Sequence, residues 1–94
     1  MSFATGMGQS VVGVKTAVET PAEIFAGANA LANRTRMRIT NLSTHTRIRY
    51  GRQTANLQRD GAPVEPGDTV ILFPTVPVFA CSEGKAIQLQ IEEN

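Results

Sequence analysis

The sequence predicts an all-β protein, a small antiparallel β-sandwich or barrel of about seven short strands. Three observations point there. Apolar and polar residues alternate strictly through residues 34–51 and again through 85–92, the period of strands with one buried and one wet face. A β-branched and aromatic run, TVILF at 69–73, reads as a buried strand. Between these stretches Gly, Pro, Asn and Asp recur at close spacing, which is turn chemistry. The 94 residues suffice for one modest core. The expected organisation is a flexible N-terminal arm over residues 1–9, small and polar, followed by a single β-sandwich domain over residues 10–94.

Residues 10–20 form the first expected strand, with Val12, Val14 and Val18 at even spacing around Thr16. Gly13 weakens it and marks a bulge or an edge, and Pro21 ends it. Residues 22–33 are ambiguous. The alanines favour helix, while Gly27 and Asn29 oppose it. A short extended piece over 23–26 followed by a loop is the expectation, with a single helical turn as the alternative.

Residues 34–51, RTRMRITNLSTHTRIRYG, organise the rest and read as a β-hairpin. Met37 and Ile39 alternate with Arg36, Arg38 and Thr40, while Ile48 and Tyr50 alternate with Arg47 and Arg49. Asn41 and Ser43 suit the turn between them, since their side chains bond nearby backbone groups. Gly51 ends the second arm, and residues 53–58 are open to a further short strand. Asp60-Gly61 and Pro66-Gly67 are turn signals. After the strand at 69–73, Pro74 and Pro77 bracket a kink, and residues 78–81 resume as strand. A turn at 82–84 leads to the clearest half-buried strand, where Ile87, Leu89 and Ile91 alternate with Gln88, Gln90 and Glu92. Tyr50, Phe73 and Phe79 are the expected large core residues, with Val70, Leu72, Ile87, Leu89 and Ile91 around them.

The formal net charge is +1, so global charge selects no partner, but its distribution is uneven. All seven arginines lie between Arg34 and Arg59, and the acids lie outside that block, with Asp60 at its edge. In a hairpin, Arg36, Arg38, Arg47 and Arg49 would share one wet face, and like charges opposite each other destabilise a sheet. They are therefore either splayed, screened and paired to Glu19, Glu23 or Glu92, or held by acidic groups of another chain. The partner-binding reading assigns all four to an acidic protein surface. Nucleic acid is disfavoured, because aromatics are few and Tyr50 alternates to the core side.

Catalysis and metal binding find no footing. His45 is the sole histidine and Cys81 the sole cysteine, with no spacing that joins them into a nucleophile–base pair. A zinc site needs about four ligands, and the calcium-loop pattern of alternating oxygens is absent. No enzyme activity, cofactor or metal is expected. One cysteine excludes an intrachain disulfide. The first residues lack a basic start and an apolar run, and no stretch approaches the ~18 apolar residues of a membrane span, so synthesis in the cytoplasm is expected.

Four stretches, taken in order, resemble small β-sandwich virion proteins of tailed bacteriophages. They are RTRMRITNLS at 34–43 after Asn33, IRYG at 48–51, GAPVEPGD at 61–68 leading into Val70, Ile71 and Leu72, and VFACSEG at 78–84 leading into the last strand. The resemblance implies a non-enzymatic, oligomeric structural role on the particle. The expected function is a capsid decoration protein bound to the major capsid protein or another virion protein, located in the virion. A tail or head-fibre adaptor is the alternative. A carbohydrate-binding sandwich ranks below both, because the chain has no tryptophan and one tyrosine.

Overall fold

A computed structural model describes residues 10–74 and 76–94; the N-terminal arm expected over residues 1–9 lies outside them. The elements in order are β1 (Val11–Ala17), β2 (Ala22–Glu23), β3 (Met37–Asn41), β4 (Ile48–Gly51), α1 (Leu57–Asp60), β5 (Ala62–Val64), β6 (Thr69–Leu72), β7 (Phe79–Ser82) and β8 (Ile87–Glu93). They form two four-stranded sheets, β1-β8-β3-β6 and β2-β7-β4-β5. Every strand pairing is antiparallel. The expected all-β class holds, with eight strands rather than about seven.

The core lies between the two sheets. Met37 and Ile39 of β3 and Leu89 and Ile91 of β8 come from the first sheet; Ile48, Val64 and Ala80 of β4, β5 and β7 come from the second. All seven side chains are buried in one cluster. Their alternation with polar neighbours is what turns the other face of each strand to solvent.

The expected central hairpin does not form. β3 pairs with β8 and β6, whereas β4 pairs with β5 and β7, so its two arms sit in different sheets and face each other across the core. Asn41 explains the crossing. Its side chain is fully buried, and its Nδ2 donates to the carbonyl oxygens of Thr46 (2.9 Å) and Val64 (3.0 Å). Its Oδ1 accepts from the N–H of Ser43 at 2.9 Å, while the Ser43 hydroxyl accepts from the N–H groups of His45 and Thr46. The polar stretch after β3 is thus a corner tied to the second sheet, not a turn within the first.

Three further expectations need correction. In β1 the buried-side residues are Val11, Gly13, Lys15 and Ala17, while Val12 and Val14 face solvent and Val18 beyond the strand is exposed. Gly13 decides the face, because a Cβ there would collide with the carbonyl oxygen of Ala26. Residues 53–58 form no strand. They lead into α1, whose Leu57 is buried with its Cδ1 2.8 Å and 2.9 Å from where Cβ atoms on Gly51 and Gly61 would sit. Phe73 is 75% exposed, and Tyr50 and Phe79 are half-buried rather than central to the core. Phe73 follows the outward face of β6 set by Thr69 and Ile71, and Pro74 then ends the strand run. The Pro66-Gly67 turn is as expected, with Gly67 at φ +82°.

Candidate functional site

The crossing of β3 and β4 divides the arginine face. Arg36 and Arg38 belong to the first sheet, and Arg47 and Arg49 to the second, on opposite sides of the core. The four do not form one patch, and the repulsion expected between paired strands is absent.

Within the chain three of the four have carboxylate partners. Arg38 Nη2 lies 2.9 Å from Glu92 Oε1, its cross-strand neighbour on β8. Arg47 bonds Glu65 (3.1 Å) and Glu83 (2.9 Å), and Arg49 Nε bonds Glu83 at 2.6 Å. Arg49 also donates to the carbonyl of Gly61 at 2.8 Å, which ties the second sheet to the end of α1. Partial desolvation opposes ionisation of Glu83, yet the hydrogen bonds and charges of Arg47 and Arg49 together hold its carboxyl below the ordinary glutamate value. Glu92 was among the expected partners; Glu65 and Glu83 replace Glu19 and Glu23. Arg36 reaches only the Asn94 side chain, at 3.3 Å, and has no ion pair among the described residues.

The most buried ion pair among the described residues joins Arg34 and Glu93. Glu93 is fully buried and bonds Arg34 Nη1 at 2.5 Å. Its Oε1 accepts from the N–H of Ala26 at 2.8 Å, and its Oε2 accepts from the N–H of Leu31 at 3.5 Å. One carboxylate thereby pins residues 24–34 against the edge of the sandwich. The signal was in the alternation: Ile87, Leu89 and Ile91 face inward, and Glu93 continues the same parity.

His45 is exposed on the corner after β3, and Cys81 is buried at register with Arg49. Burial pushes the Cys81 thiol up, the nearby Glu83 adds to this, and Arg49 only partly offsets it, which suppresses the nucleophilic thiolate. Among the described residues no three His, Cys, Asp or Glu side chains are grouped to hold a metal ion.

An apolar cleft of about 400 Å³ opens on the flank where β6 and β5 are the sheet edges. Tyr50, Ala62, Leu72 and Val78 line it, with Phe73 and Val76 exposed at its rim and Arg52 beside it. The geometry offers contact surfaces: the arginine–glutamate cluster on the second sheet and an apolar flank. No family model matches the chain, and neither a curated protein nor a solved structure matches it.

Proposed function

We propose that this chain is a non-enzymatic structural component of a bacteriophage virion, a capsid decoration protein that binds the assembled head shell as an oligomer. The observation that carries the reading is the resemblance of the four stretches at 34–43, 48–51, 61–72 and 78–84 to small virion sandwiches. Support comes from where they lie. They supply β3, β4, β5, β6 and β7, which is the framework of both sheets rather than one local motif. A small sandwich with a charged outer layer on one sheet and an apolar flank is suited to clamping onto a repetitive protein surface.

Of the four arginines first assigned to a partner, Arg36 is the one with no carboxylate of its own among the described residues. It is the one whose charge is available to an acidic shell surface. The test uses heads lacking this chain, mixed with the purified protein and imaged, with binding measured over a salt series. The reading expects regular density on the head surface and an affinity that falls with salt. Arg36→Gln should account for most of the loss seen when Arg36, Arg38, Arg47 and Arg49 are all changed to Gln. Density confined to a tail or fibre base supports the adaptor alternative. A protein that binds no part of the particle overturns both.

A further inference from the structure

We infer that β6, with the cleft beside it, forms a twofold interface with a second copy of this chain. The edge is open. β6 pairs with β3 on one side, and on the other its backbone makes no hydrogen bond among the described residues. Thr69–Leu72 contains no charge and no proline, the devices that usually protect an edge from pairing. Ile71 is 47% exposed, and beyond the strand Phe73 is 75% and Val76 41% exposed around the apolar cleft. A single flank thus combines a free strand edge with the most exposed phenylalanine among the described residues.

The occupant follows from self-complementarity. An edge strand related to itself by a twofold axis pairs antiparallel, and twofold interfaces are the commonest among homo-oligomers. Directly opposed residues share a face of the sheet, so Thr69, Ile71 and Phe73 must oppose one another. Centring the axis on Ile71 sets Ile71 against Ile71 of the second copy and Thr69 against Phe73 of the second copy. The turn before β6 then lies across the mouth of the neighbouring cleft. That turn carries Asp68, and the cleft carries Arg52; neither has an ion pair among the described residues. The axis brings Asp68 of each copy toward Arg52 of the other, so the charges match twice. The β1 edge lacks this combination: its flank is largely covered by residues 24–27, and its one cation, Lys15, bonds the Gly27 carbonyl at 2.5 Å.

The inference deepens the oligomer named in the proposed function, but it can fail separately, because the experiment contains no virus particle. Sedimentation of the purified chain over a concentration series should show a monomer–dimer equilibrium. Ile71→Arg should raise the dimer Kd by about thirtyfold or more. Arg52→Asp or Asp68→Arg alone should weaken it by roughly fivefold, and the two together should restore it. In a Cys81→Ser background, Ile71→Cys should oxidise to a covalent dimer, since residues at the axis have Cα atoms about 4.5–5.5 Å apart. Val14→Cys should not. A chain that stays monomeric throughout the series overturns the inference. So does a dimer indifferent to Ile71→Arg, or one that crosslinks through Val14 rather than Ile71. If Ile71→Arg fails to fold, the charge exchange and the two cysteine variants still decide. Shell binding by a strict monomer would leave the virion reading standing and remove this one.

Discussion

Between β1 and β2 the side of the sandwich is largely covered by chain, with a pocket of about 150 Å³ left; between β6 and β5 a cleft of about 400 Å³ is left open. On the covered side, residues 24–27 lie against Gly13, Ile24 and Ala26 are buried, and Glu93 binds the strand end to Ala26, Leu31 and Arg34. On the open side no strap crosses among the described residues, the cleft keeps its volume, and Phe73 stands in solvent. Both flanks end in edge strands of the same first sheet. The difference shows how a small two-sheet core divides its edges. One is sealed by buried polar bonds that contribute to stability, and the other remains available for contact.

Removing the clasp of the sealed flank should have the largest effect. Glu93→Ala leaves Arg34 and two backbone N–H groups without their acceptor in a dry site, and should destabilise by about 3–5 kcal/mol in urea unfolding. By contrast, losing the exposed Arg38–Glu92 pair should change stability by at most ~1 kcal/mol. A loss of under ~1 kcal/mol for Glu93→Ala would erase the distinction between the flanks.

Wedging the same flank from the other direction comes next. Gly13→Val places side-chain atoms where the Ala26 carbonyl lies, so the strap must move. The expected cost is about 1–3 kcal/mol, typical of overpacking. Unchanged stability would mean that residues 24–27 are not held against β1.

The charged layer of the second sheet supplies a control belonging to neither flank. The folded Glu83 carboxyl is held below its ordinary value, so its contribution is fully present above the ordinary glutamate range. It is lost as the pH falls through the lower folded value. Glu83→Gln should therefore narrow the gap between stability at neutral pH and in acid. An unaltered acid slope would show that Arg47 and Arg49 do not act on Glu83.

The smallest effect belongs to the open flank. Phe73→Ser removes an exposed ring and should leave the stability of the monomer within about 0.5 kcal/mol. A large loss would mean that Phe73 is a core residue after all.

These contrasts follow what local pattern can and cannot report. The alternation at 85–92 identified β8 and its inward Ile87, Leu89 and Ile91, because the period of two directly encodes one buried face. The same alternation identified β3 and β4 as strands but was silent on their partners. Pairing there is decided by Asn41, whose buried amide bonds Thr46 and Val64, a long-range outcome invisible in the hairpin-like string. The arginine site failed for the same reason: four side chains close in sequence belong to two sheets. In β1 the valines outweighed Gly13 on the page, yet backbone crowding at Ala26 set the orientation. The inward direction of Glu93 was legible by parity, but its donors Ala26, Leu31 and Arg34 lie far from it in sequence, where no local pattern reports them.

Residue-resolved amide hydrogen exchange, at low protein concentration so that the open edge is unpaired, tests the contrast between the flanks most directly. The N–H of Ala26, which donates to Glu93, should exchange only through near-global unfolding, while the β6 amides that point away from β3 should exchange by local opening. In Glu93→Gln the protection of Ala26 should fall toward that of the β6 edge. Equal protection of Ala26 and the outward β6 amides, or an Ala26 amide indifferent to the change at Glu93, would contradict a sealed flank set against an open one.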